Sequence, residues 1–244
     1  MFAQKTQQIN KSDIVEVIYI TYMDKGVPLS RESKLLINNL LNESVYITDY
    51  HTDKIIDASS IKAAEKQTSN LFRVKTFFQY KYIYTNIPKH HLTSVDWLAS
   101  KTVKYEEPIP IFKWVLINET KSIENYTCFK AEVDFRGRKY TAWYTKDLPL
   151  AYGPWKFSGL PGLILEVHDS ENEYTLLAKE IKFKSEKNIE KIPKTDFVMS
   201  LKEFISKHDE LYDPNNWSTP GVSISQEKYV RDGIELIYEW EKIK

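Results

Sequence analysis

From Tyr126 to Thr145 the chain reads YTCFKAEVDFRGRKYTAWYT. Phe129, Ala131, Val133 and Phe135 fall on one side of an extended chain, and Cys128, Lys130, Glu132 and Asp134 on the other. A period of two, apolar against polar, belongs to a strand with one buried face. Arg136-Gly137-Arg138 supplies a tight turn, and KYTAWYT from Lys139 returns. The stretch is a β-hairpin, and it sets the fold class: mainly β, antiparallel.

Toward the C-terminus, Gly153 to Val167 reads GPWKFSGLPGLILEV. Two corners, Gly153-Pro154 and Gly159-Leu160-Pro161-Gly162, flank Trp155-Lys156-Phe157-Ser158. Proline fixes φ at each corner, and glycine admits φ > 0 or a close backbone approach. Two readings stay open. The loop is a plug over the end of a sheet with Trp155 and Phe157 buried, or a preorganised lip that offers backbone N–H groups and aromatic faces to a ligand. Leu163-Ile164-Leu165 predicts a buried strand, and Tyr174 to Lys184 another. The period then changes. Phe197, Val198, Leu201, Phe204 and Ile205 share a helical face, so Thr195 to His208 is expected to be a helix capped by Thr195 or Asp196. Gly233 to Glu241 (GIELIYEWE) reads as a closing strand.

Toward the N-terminus, Asp13–Tyr22, Lys34–Asn39, Ser44–Asp49, Phe77–Thr85 and Phe112–Asn118 read as strands, with a hairpin at Asn42-Glu43. Phe78, Tyr80, Tyr82 and Tyr84 share one face, which suits a curved sheet over a core or the lining of a groove. Thr93 to Tyr105 reads as a short helix or an irregular crossing, and Glu106 to Pro110 as a loop.

Composition narrows the function. Among 244 residues, 34 Lys and Arg balance 34 Asp and Glu. Nucleic acid is disfavoured as a partner, because a polyanion binder carries a basic excess. The single cysteine, Cys128, excludes an internal disulfide and a cysteine metal cluster. No apolar run is long enough to span a bilayer. Ala3 before Gln4 looks like the end of a cut signal peptide. Residues 1–12 then form a disordered remnant, and 13–244 a single β-rich domain. The adjacent His90 and His91 do not share a face, and solvated loop positions suit them better than a metal site. His168 beside Asp169 is the nearest acid–base pair. No nucleophile elbow, zincin, P-loop or dinucleotide motif is present, so no catalytic residue, metal or cofactor is assigned. Cys128, embedded mid-strand, is a poor nucleophile.

The run from Phe112 to Glu180 resembles the GLPGLI family, whose six naming residues stand intact from Gly159 to Ile164. Tyr126, Cys128, Lys130 and Ala131, then Phe135 to Arg138, Ala142 to Tyr144, Leu148-Pro149 and Gly153 to Phe157 follow the family's pattern in order. The resemblance implies export to the periplasm or cell envelope of Bacteroidota and an association with outer-membrane TonB-dependent receptors. It implies no settled activity.

The expected architecture is a strongly curved antiparallel sheet, or a half-open barrel similar to the lipoprotein-carrier fold, with one helix near the C-terminus. The expected function is non-catalytic binding of an apolar or peptide ligand, or of an outer-membrane partner. Tyr80, Tyr82, Trp143, Tyr144, Trp155 and Phe157 line or gate the concave face. Arg136 and Arg138 read as solvated charges at the hairpin tip; otherwise Arg138 pairs with Asp147 or Glu166, or captures a ligand carboxylate. The alternatives are an envelope hydrolase acting on peptides and a structural accessory of a receptor.

Overall fold

A computed structural model describes residues 14–25, 28–48, 81–185, 188–189, 191–216 and 229–241. Its strands are β1 (Ile14–Asp24), β2 (Pro28–Asn38), β3 (Glu43–Thr48), β4 (Tyr82–Asn86), β5 (His91–Leu98), β6 (Lys101–Pro108), β7 (Val115–Ile123), β8 (Tyr126–Phe135), β9 (Arg138–Thr145), β10 (Leu163–Asp169), β11 (Tyr174–Lys184) and β12 (Phe197–Ser200). One helix among the described residues, α1 (Leu201–Tyr212), follows β12 directly. The mainly β expectation therefore holds.

The strands form one twelve-stranded sheet in the order β12-β6-β5-β4-β3-β2-β1-β11-β10-β9-β8-β7. Two meanders run outward from a seam where β1 lies antiparallel to β11. The hairpin of β8 and β9 turns on Arg136 (φ 44°) and Gly137 (φ 90°), two left-handed residues of the kind that match the twist of paired strands. Cross-strand partners share a face. Val15, Val17, Tyr19, Leu35, Ile37, Tyr46, Leu92, Ala142 and Val167 gather in one buried cluster on the inner face. Tyr19 reaches across the seam, its hydroxyl donating to the Ile164 carbonyl at 2.6 Å.

Three elements differ from the sequence expectation. Thr93 to Tyr105 lies within the β5–β6 hairpin, which turns at Ala99 (φ 53°) and carries Glu107 inside β6. Its β-branched residues find a ladder, and the short helical spacing finds no partner. The helix begins later than Thr195. Phe197 to Ser200 pair in parallel with β6, leaving Phe197 and Val198 exposed. Ser200 caps the helix instead, its Oγ accepting from the Glu203 N–H at 3.1 Å, and Asp196 holds Thr102. Gly233 to Glu241 is not a strand. It crosses the hairpin turn, where the Leu236 and Ile237 amides both bond to the Arg136 carbonyl, and it ends in a 3-10 turn over Glu239–Glu241.

Candidate functional site

The segment from Gly153 to Gly162 fills one end of the inner face. A Cβ on Gly162 would stand 2.0 Å from the Thr145 carbonyl oxygen, so only glycine permits that approach. Phe157 is buried against Tyr140 and Phe112, with ring centroids 4.9 and 5.4 Å apart. Leu160 is buried beside it in the same cluster. The Trp114 indole donates to the Ser158 carbonyl at 2.8 Å. Trp155, at φ 55°, packs on Phe157 and stays half-buried. The loop is thus a plug through Phe157 and Leu160 and presents Trp155 at its edge.

Beyond that edge lies a cavity of about 560 Å³, within the usual size range of small-molecule pockets. Tyr46, Ser94, Tyr105 and Leu176 form its floor, and Trp155 forms one wall. The roof has two parts. In α1, Leu201, Phe204 and Ile205 turn toward the sheet, and Phe204 stacks on Tyr105 at 4.5 Å. One turn on, His208 lines the cavity and packs against Tyr212 at 4.5 Å. Burial, helped by the Lys81 charge, pushes His208 below the usual histidine value, so the neutral ring is favoured. Lys81 pairs with Asp96 at 3.0 Å. The Ser94 hydroxyl is buried and has no hydrogen-bond partner among the described residues.

The other part of the roof is the strap from Tyr229 to Glu241, and side chains hold it down. Arg136 reaches Glu107 at 2.7 Å, Glu239 at 3.1 Å, and Glu235. Lys156, from the plug, reaches Glu107 at 2.6 Å and Glu235 at 3.0 Å. Two buried cations therefore alternate with two carboxylates. Burial opposes the charge on Glu107, but Lys156 and Arg136 outweigh it and hold its carboxyl below the ordinary range. Arg138 donates to the Gly233 carbonyl at 3.0 Å and pairs with Asp169 and Glu173, each at 2.7 Å. Tyr140 donates to the Ile234 carbonyl, and Arg231 ties the strap to Asp209 of α1.

The anticipated ligand residues part company here. Trp155 and Tyr82 border the cavity. Tyr82 does so from the rim, since its cross-strand partners Ile47 and Val95 belong to the face opposite Ile83 and Ser94. Tyr144 and Phe157 are buried in the core. Trp143 lies on the opposite face from Tyr144, with the Lys121 ammonium 4.5 Å over its ring. Arg138 is not a solvated tip charge and does not pair with Asp147 or Glu166: it is buried on Asp169 and Glu173 and serves the strap. Tyr80 lies outside the described residues. Cys128 is fully buried, and burial pushes its thiol up to about 11, which makes it unreactive. His168 faces Glu166 at 3.2 Å, while Asp169 on the other face holds Arg138, so the two do not converge. His90 sits in a turn, and His91 lies 3.4 Å from Glu106. Among the described residues, no group of three or more potential ligands is placed for a metal ion, and no helix is long and apolar enough to cross a membrane. Ser94, Tyr105, His208 and Tyr238 were not marked by any motif. Only the helical spacing of Leu201, Phe204 and Ile205 hinted at part of the roof.

Fold and site define a class: an open β-sheet protein whose inner face is part plugged and part roofed over a cavity. A family described as "Protein of unknown function (Porph_ging)" matches residues 134–166, which hold the hairpin turn, Arg136, Arg138 and the whole plug. Among curated proteins, none matches the sequence. Two structures of PNGF-II, in the P21 and C2 space groups, share the fold with TM-scores of 0.52 and 0.54 at 14% identity. Each covers 80% of this chain, and this chain spans 33% and 32% of theirs, about a third of their length.

Proposed function

We propose that this protein is a non-catalytic binder that takes an apolar or peptide ligand in the cavity of its inner face. The observation that carries the reading is the cavity itself. Its walls are largely aromatic and aliphatic, and a helix and a strap roof part of it and leave the rest open. The resemblance to the GLPGLI family adds export to the cell envelope and a place near an outer-membrane receptor. In that setting the sheet acts as a strongly curved, half-open barrel with its concave side as the binding surface. A hydrolase acting on peptides is the second reading, favoured by the presence of His208 and Asp96 beside Ser94 in one cavity. It is the weaker one, because Ser94 makes no hydrogen bond to the histidine that would activate it.

Native mass spectrometry of the protein recovered from the cells that make it tests the binding reading, with denaturing analysis of whatever is released. A stoichiometric lipid or peptide adduct that disappears when Leu176→Trp fills the cavity is the expected result. A clean protein mass, with no adduct before or after incubation with envelope extract, overturns it.

A further inference from the structure

Resting on that binding reading, we propose that the cavity selects an uncharged ligand: a largely apolar body carrying one carbonyl, amide or hydroxyl group that Ser94 hydrogen-bonds. Two independent observations lead there. The first is the Ser94 hydroxyl. Its residue is 1% exposed, and register places it on the cavity side between Ile83 of β4 and Tyr105 of β6. It has no hydrogen-bond partner among the described residues. A buried hydroxyl left unpaired is destabilising, so a native protein keeps one where something else completes it. Rotation about its single χ1 sweeps the oxygen across the cavity face, and side-chain adjustments of that size are common on binding.

The second observation is charge. Every charged side chain in the lining is already engaged. Lys81 pairs with Asp96. Asp209 pairs with Arg231, and Asp232 with Lys25 at 3.2 Å. Glu235 is shared by Arg136 and Lys156, Glu32 is held by Lys179, and Arg31 has partners of its own. An ionised ligand group would enter a low-dielectric space with no counter-charge to spare, and would have to break an existing pair. A neutral polar group meets an orphan hydroxyl and disturbs nothing.

The test is a matched series on one ten-carbon chain (decanol, decanoate and decylamine) titrated calorimetrically into the full-length protein and into Ser94→Ala. Decanol is expected to bind at least about tenfold more tightly than either ion. Ser94→Ala is expected to weaken decanol by about 3- to 10-fold, the range of one neutral hydrogen bond, and to leave the ions as they were. The melting temperature of ligand-free Ser94→Ala should match or exceed that of the parent, because an unpaired hydroxyl has been removed. If an ion binds as well as decanol, or if Ser94→Ala binds decanol unchanged or melts lower, this inference is overturned while the binding reading stands. If none of the three binds, the binding reading falls, and the inference with it.

Discussion

At the scale of single residues, two glycines of the plug do different work, and their alanine variants separate it. Gly162 lies where a Cβ would collide with the Thr145 carbonyl. Gly159 has open space around it but a φ of 87°. Gly162→Ala is expected to destabilise by about 3 kcal/mol through forced displacement of β9. Gly159→Ala is expected to destabilise by only about 1–2 kcal/mol, the strain of a left-handed L-residue. Urea titration of both variants checks the order, and equal losses would refute the steric argument. Glu107 gives a second prediction. Its native carboxyl sits below the ordinary glutamate range, so the folded protein binds fewer protons than the unfolded chain as the pH falls through that range. Stability is full above about pH 4.3 and declines below it, as the unfolded chain takes up its proton first. Glu107→Gln should flatten that part of the pH profile, at the expense of leaving Lys156 and Arg136 to share Glu235.

At the scale of elements, the strap is the part held by side chains and not by a ladder. Removing the Arg136 guanidinium leaves Lys156 alone to neutralise two buried carboxylates, Glu107 and Glu235, releases Glu239, and frees the Tyr238 ring that it covers at 4.9 Å. Arg136→Ala is expected to lower stability by about 3–5 kcal/mol, as breaking a buried pair does. Hydrogen exchange should localise the effect. The Leu236 and Ile237 amides should exchange faster by an order of magnitude or more, while those of β1 and β11 should follow only the global loss. Uniform acceleration across the sheet would show that the strap is not a separate unit. The helix offers a contrast: α1 is fixed by the packing of Leu201, Phe204 and Ile205 and not by buried ion pairs.

At the scale of the whole molecule, the seam between β1 and β11 decides whether there is one sheet or two meanders. Tyr19→Phe leaves the Ile164 carbonyl without its donor at the centre of that seam, and a loss of about 1–3 kcal/mol in denaturant titration is expected. No loss would mean that the ladder alone fixes the join. The strands that alternate cleanly, such as Tyr126–Phe135, were legible because one face is buried and the other wet. The glycine and proline pattern likewise showed a loop of fixed shape. What sequence could not show were the arrangements made by distant partners. Glu107 reads as a loop residue until Lys156 and Arg136 surround it. Phe197 and Val198 carry helical spacing but pair with β6. GIELIYEWE has the look of a strand, yet two of its carboxylates, Glu235 and Glu239, bind one arginine about a hundred residues away, Arg136. The cavity was unreadable for the same reason, since its floor and its roof come from segments far apart in the chain.

The order of synthesis sets a limit on when this fold can be finished. Lys156 and Arg136 emerge from the ribosome well before Glu235, with Glu107 as the single buried carboxylate to share between them. Until the strap from Tyr229 to Glu241 has been made, two cations share one buried carboxylate. Synthesis of the strap therefore completes the electrical neutrality of the core, and its docking, more than formation of the first hairpins, is the event that licenses native packing.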